Sequence, residues 1–259
     1  MDEQGWRGYV GGYHDAHPGI TERFFGLADS SPYRWLAEPL LGVRGTVLDV
    51  ACGSAPMRVV LPEAGWAGVD LSAGELAEAA RRGRGPVVRA GAEALPVRSG
   101  SVTAVCAAMC LPVVTPLPAV LGEVRRVLRP GGVLAALVPS RSGLSPAGAL
   151  GWARVLYALR SSGQPWPNPQ ALDGLAAVLR AHGFRVGGDD RRVFRLGIES
   201  ADAAALLVDA LYLPGTAAHR TAAAKRSLAR WARPGRRLEL PLRRVTAEPV
   251  TGNTPPEQP

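Results

Sequence analysis

Lysine is nearly missing from this chain: of 30 basic residues in 259, only Lys225 is a lysine and the others are arginines. Such a bias follows from GC-rich coding, so the formal charge of +8 does not by itself demand a polyanionic partner. Cysteine is scarce as well. Cys52, Cys106 and Cys110 are an odd number with no second cluster, which argues against a disulfide framework or a zinc site and for reduced, buried thiols. No stretch gives ~18 uninterrupted apolar residues, and Met1–Arg7 opens acidic and polar with no apolar leader core. The expectation is a soluble, cytoplasmic protein. Aromatics make up 6% of the chain, yet hydrophobic residues reach 47%, too many for a disordered polymer and enough for one large domain or a domain with an insertion.

What is present is a rhythm. From residue 46 short β-type runs alternate with helical stretches: Thr46–Val50, Trp66–Val69, Pro86–Arg89, Val102–Ala107 and Val133–Val138, then Phe184–Val186 and Arg237–Val245. Continuous apolar strands separated by helices predict an α/β, doubly wound, mostly parallel sheet. Ser72-Ala73-Gly74-Glu75 reads as a capping box opening the helix that Gly83 ends, and Arg129-Pro130-Gly131-Gly132 as a tight turn into the fifth strand. Residues 1–45 hold seven of the fifteen aromatics, which predicts a packed helical cap segment of one or two helices. Between the last two strands, about 189–236, the spacing predicts a helical insertion able to act as a lid, with Asp189-Asp190 in a turn. The Pro-rich end, 249–259, reads as a disordered tail.

The sharpest local feature ends the first strand: Leu48-Asp49-Val50-Ala51-Cys52-Gly53-Ser54. In a doubly wound sheet this turn brings a ligand against backbone N–H groups, and Gly53 is where a Cβ would obstruct it. Seventeen residues on, Asp70 ends the second strand with a carboxylate able to hold both hydroxyls of a ribose. A dinucleotide fold wants G-x-G-x-x-G, but Ala55 and Pro56 stand where that pattern should continue. The pyrophosphate cradle is missing, so a nicotinamide dehydrogenase is disfavoured.

With Gly68-Val69-Asp70-Leu71-Ser72, Ala92-Glu93-Ala94-Leu95-Pro96 and Glu123–Gly132, these residues form an ordered set over about 46–138. The set resembles the class I S-adenosylmethionine-dependent methyltransferases, in particular the ubiquinone/menaquinone-biosynthesis-type domain. The resemblance implies a Rossmann-like sheet of seven strands whose last strand is antiparallel and inserted beside the sixth. It also implies S-adenosyl-L-methionine as cofactor, with Asp49, Ala51 and Gly53 at its methionine end, Asp70 on its ribose and Leu71 against its adenine. Ala92 and Glu93 would sit at the adenine edge, Ala108 and Met109 would line the inner wall, and Tyr13 would close over the site from the N-terminal segment. Three positions depart from the pattern: Ala55, where relatives have glycine; Gly91, where an Asp commonly meets the adenine amino group; and Thr103, in place of a fourth-strand Asp. Adenine recognition would then lean on backbone groups or Glu93.

The expected activity is methyl transfer to an O, N or C nucleophile of a small molecule. His14, His17 and His219 are base candidates without an assignment, and no metal ligand set is read. Between Gly215 and Arg244 nine basic residues face Glu239 alone, so this stretch carries the whole excess charge. As a lid over the site it predicts a preference for an anionic acceptor. The alternatives are an RNA-directed methyltransferase that grips phosphates with this insertion, and a non-catalytic cofactor-binding protein.

Overall fold

The computed structural model describes residues 1–250. A single sheet runs through it, built from β1 (Thr46–Val50), β2 (Gly65–Asp70), β3 (Val87–Arg89), β4 (Val102–Ala108), β5 (Leu128–Pro139), β6 (Phe184–Gly197) and β7 (Arg237–Pro249). Their order is β3-β2-β1-β4-β5-β7-β6. The first five strands pair in parallel, and β7 is antiparallel to both neighbours. This is the seven-stranded Rossmann-like arrangement that the sequence led us to expect. The order in which strands are added turns back between β1 and β4, and in such a sheet ligands bind outside the carboxyl ends of the strands at that switch point.

Burial on both faces follows from the apolar strands. In β1, Val47 packs into one hydrophobic cluster while Leu48 and Val50 pack into another; in β5, Ala135 and Leu137 alternate with Leu134, Ala136 and Val138 in the same way. The helices are α1 (Glu3–Ala16), α2 (Ile20–Phe25), α3 (Pro32–Ala37), α4 (Pro56–Val60), α5 (Ala73–Arg81), α6 (Leu117–Val127), α7 (Pro146–Leu159), α8 (Leu175–Ala181), α9 (Ala201–Asp209) and α10 (Ala218–Ala229). Phe24, Trp35, Val155, Leu207 and Leu228 from α2, α3, α7, α9 and α10 cover the first face; Leu121 and Leu179 from α6 and α8 cover the second. No helix among the described residues is long and apolar enough to cross a membrane.

Four local expectations need correction. The N-terminal segment forms three helices, not one or two. The Arg129–Gly132 turn lies inside β5: Leu128 already pairs with Val102, and the ladder resumes at Val133 opposite Ala104. Asp189 and Asp190 are not in a turn but in β6, which continues to Gly197. The chain can stay extended there because each carboxylate meets an arginine of β7: Arg243 Nε donates to Asp189 at 2.6 Å and Arg244 to Asp190 at 3.1 Å. The insertion therefore begins at residue 198. Finally, Pro249 belongs to β7, Val250 follows it, and residues 251–259 of the expected tail lie outside the described residues.

Candidate active site

The turn after β1 is shaped by three left-handed residues, Ala51 (φ 54°), Gly53 (φ 54°) and Ala55 (φ 57°). Two of them are alanines, for which this conformation is uncommon and strained. What holds the turn is Asp70 at the end of β2. Its Oδ2 accepts from Gly53 N and its Oδ1 from Ser72 N, both at 2.8 Å, so one carboxylate fixes the loops after β1 and β2 together. Met109, after β4, is also left-handed (φ 63°), with its N–H donated to Leu137 O at 2.7 Å.

These loops enclose one side of a cavity of about 1090 Å³, its mouth included. The other side is α1, clamped across the strand ends at several points. Trp6 Nε1 donates to Val113 O at 2.8 Å, Arg7 pairs with Glu93, and Asp15 accepts from Ser72 Oγ and Gly74 N at 2.7 and 2.9 Å. The capping box is thereby only half formed. Ser72 Oγ accepts from Glu75 N, but the Glu75 carboxylate turns away from its own helix to accept from Gly19 N and to meet His14 Nδ1, each at 2.8 Å. Asp70 serves the Ser72 N–H in its place.

The wall is acidic. Glu22, Asp49, Asp70, Glu75 and Glu93 line it, against Arg7 and His14. Asp49 is 1% exposed and its Oδ2 has no protein partner. Burial, reinforced by the charge of Asp70, pushes the Asp49 carboxyl up to about 8, while the Cys106 thiol beside it pulls the other way. Burial raises Asp70 too, although the Ser72 and Gly53 N–H groups stabilise its charge. Glu22 ends up lowered: burial opposes ionisation, but hydrogen bonds from Arg84 and Ser54 outweigh it. The thiols are suppressed by burial, Cys110 to about 12 and Cys52 further, which leaves no activated sulfur nucleophile at this wall.

Residues 48–136 match the family model described as "Methyltransferase domain". The chain is similar to a malonyl-[acyl-carrier protein] O-methyltransferase from Alcanivorax borkumensis, 35% identical over 155 residues, which are 56% of this chain and 49% of the other. It thus spans about half the length of that curated relative. Residues 48–136 thus carry a methyltransferase domain, within the seven-stranded fold of the class I S-adenosylmethionine-dependent methyltransferases. Solved structures with the same fold include the [4+2]-cyclase SpnF, with a TM-score of 0.55 at 20% identity over 85% of this chain and 80% of that one. Another is a geranyl diphosphate methyltransferase in complex with GPP and sinefungin, with a TM-score of 0.50 at 17% identity over 86% and 78%.

Nine of the ten residues singled out in the sequence as cofactor-binding candidates meet in the cavity wall: Asp49, Ala51, Gly53, Asp70, Leu71, Ala92, Glu93, Ala108 and Met109. Tyr13 does not. Its hydroxyl donates to Asp209 O and its ring packs on Tyr9 and Tyr212, so it braces the insertion against α1 instead of facing the cavity. Of the base candidates, His14 lines the cavity while His17 and His219 do not. Of the three departures, Gly91 leaves a space that its neighbour takes, since a Cβ there would lie 2.3 Å from Glu93 Oε1. Thr103 is remote from the cavity, with its hydroxyl toward Arg44 O at the opposite end of β4.

The basic stretch is placed differently from the expectation. Lys225, Arg237, Arg243 and Arg244 pair with Asp209, Glu199, Asp189 and Asp190, acids outside the stretch, and none of its nine basic residues lines the cavity. The residue the insertion does contribute to the wall is Tyr212, which the sequence reading missed along with Glu22 and Glu75. Glu75 was legible only as a cap. Tyr212 carried no local signal, since it stands 142 residues beyond Asp70 and arrives by packing.

Proposed function

We propose that the protein transfers the methyl group of S-adenosylmethionine to an O, N or C nucleophile of a small molecule held in this cavity. The observation that carries the reading is Asp49 Oδ2, a buried carboxylate oxygen without a protein partner in a wall of five carboxylates. Such a wall fits a ligand with a sulfonium and an ammonium. Buried acceptors require a partner, and the ligand's cationic end supplies one. When bound, that cofactor supplies a methyl group on a good sulfide leaving group.

The protein's own part is to bind, align and keep water out. Asp49, Ala51 and Gly53 would hold the methionine end. Asp70 would receive the ribose, because a carboxylate with two accepted N–H bonds retains lone pairs for a diol. Leu71, Ala92 and Glu93 would bound the adenine, with Ala108 and Met109 behind. Aligning two reactants can supply about 7–11 kcal/mol of the barrier. The similarity to an O-methyltransferase supports oxygen as the accepting atom.

The test is calorimetry with S-adenosylhomocysteine. Binding by the wild type, weakened about 10–100-fold in Asp70→Ala, is the expected result. No binding, or an unchanged affinity in the folded variant, refutes the reading. The RNA-directed alternative rests on Arg220, Arg226, Arg230 and Arg233 of α10 and its exit, exposed and without an ion-pair partner among the described residues. It requires RNA affinity that falls steeply with salt.

A further inference from the structure

At the cavity wall three residues distant in sequence form one hydrogen-bonded chain. Glu75 is 2% exposed, Glu75 Oε1 meets His14 Nδ1 at 2.8 Å, and His14 Nε2 meets the Tyr212 hydroxyl at 2.8 Å. His14 and Tyr212 both line the cavity. The phenol is held by its ring, which packs edge-on against Tyr13 at 4.9 Å and Trp166 at 5.9 Å. An imidazole fixed at one nitrogen by a buried carboxylate and coupled at the other to a hydroxyl is the arrangement by which a general base is oriented.

We propose that Tyr212, His14 and Glu75 form a proton relay that deprotonates the acceptor, and that the acceptor is a neutral compound bearing a hydroxyl group. This rests on the methyltransferase reading above. With Glu75 accepting, Nδ1 carries the imidazole hydrogen and Nε2 accepts from the Tyr212 O–H, which leaves the phenol oxygen free to accept from a substrate hydroxyl. The acceptor's O–H proton passes to Tyr212, whose own proton passes to His14 Nε2. The oxygen lone pair of the acceptor forms the new O–CH₃ bond as the C–S bond breaks, and the bonding pair stays on sulfur as a neutral thioether. The imidazolium then returns its proton to water. Tyr212 touches the substrate; His14 and Glu75 act through it.

Titratable groups face His14 from each element packed against it. Glu75 from α5 and Asp70 from β2 face it, Tyr13 lies beside it on α1, Tyr212 faces it from the insertion, and His17 and Arg23 lie beyond Tyr13. The same wall selects the acceptor: a carboxylate acceptor needs no base and would face a wall rich in carboxylates, whereas a neutral hydroxyl compound needs the base and brings no like charge.

The experiment follows methyl transfer from S-adenosylmethionine to a panel of phenols, alcohols and alkyl carboxylates from about pH 6 to about pH 9, using wild type, Tyr212→Phe and His14→Gln. S-adenosylhomocysteine affinity is measured in parallel. Expected are transfer to hydroxyl compounds and not to carboxylates, and kcat lowered about 10²–10⁴-fold in the variants with KM and S-adenosylhomocysteine affinity within a few-fold. The rise of rate with pH should also flatten in His14→Gln. The loss in the variants should be smallest with 4-nitrophenol, whose acidic hydroxyl depends least on a base. Tyr212→Phe keeps the ring and removes one oxygen, so it decides the matter should His14→Gln fail to fold. The relay is overturned by equal losses on strongly and weakly acidic hydroxyl compounds, by a parallel loss of S-adenosylhomocysteine binding, or by turnover of carboxylates alone or of no panel member. Failure of the wild type to bind S-adenosylhomocysteine instead defeats the methyltransferase reading and takes the relay with it.

Discussion

Asp49 makes cofactor binding a proton-linked event. In the free protein burial holds this carboxyl at about 8, so near neutral pH it is mostly protonated. A cationic ligand beside Oδ2 favours the ionised form, and the proton must leave as the ligand arrives. If the carboxyl in the complex titrates well below 6, the binding-competent fraction of the free protein is about 1% at pH 6 and about 50% at pH 8. Affinity for S-adenosylhomocysteine should then rise roughly 50-fold over that interval, on the order of 2 kcal/mol. Asp70, also raised by burial, contributes with the same sign. Calorimetry in buffers of differing ionisation enthalpy should count release of about 0.9 proton at pH 7. Asp49→Asn should bind weakly, with most of the pH dependence gone. The variant also has a stability signature. A carboxyl raised in the folded state costs stability as pH climbs from the ordinary Asp value, about 3.9, to its folded value, and Asn escapes that cost. The melting temperature of Asp49→Asn should exceed that of wild type at pH 8, with the gap closing near pH 4. An affinity flat between pH 6 and pH 8, with no proton released, refutes the argument.

Two further outcomes follow from the wall. Exchanging Arg226, Arg230 and Arg233 for Gln should change kcat/KM for a small acceptor by less than about twofold, because none of them lines the cavity and surface charges are screened within about 8 Å at physiological salt. A large loss in steady-state kinetics would restore the charged-lid reading. Gly91→Asp, which reinstates the residue common in relatives, places a Cβ 2.3 Å from Glu93 Oε1 and a second carboxylate beside the first. It should weaken S-adenosylhomocysteine binding about tenfold by calorimetry, whereas Gly91→Asp with Glu93→Ala should recover it.

The sheet was legible because its code is local. Apolar runs such as Thr46–Val50 and Val102–Ala108 are too short for buried helices and too apolar for surface strands, and the carboxylates and small residues at their carboxyl ends fall at the switch point whatever else the chain does. Hence Asp49, Gly53, Asp70 and Met109 could be named in advance and are neighbours in the cavity wall. Tyr13 was misread for a related reason. Helix periodicity places a residue on α1 but not the direction in which that helix faces, and a rotation of about 100° separates Tyr13, braced on the insertion, from His14 in the cavity wall.

Charge behaved in the opposite way. By sequence the excess of nine basic residues over one acid sits in a single stretch, and only the fold reveals that four of those nine are answered by Asp189, Asp190, Glu199 and Asp209. Conversely, the cavity's five carboxylates come from α2, β1, β2, α5 and the loop after β3, segments in which none of them stands out as part of an acidic run. The sequence by itself determined the sheet and the small residues and carboxylates at its carboxyl edge. The tertiary structure alone decided the sign of the field in the cavity, the buried Asp49, and the meeting of Glu75, His14 and Tyr212. Apolar periodicity is written along the chain, but an electrostatic environment or a hydrogen-bonded relay exists only between segments, and packing is what brings them together.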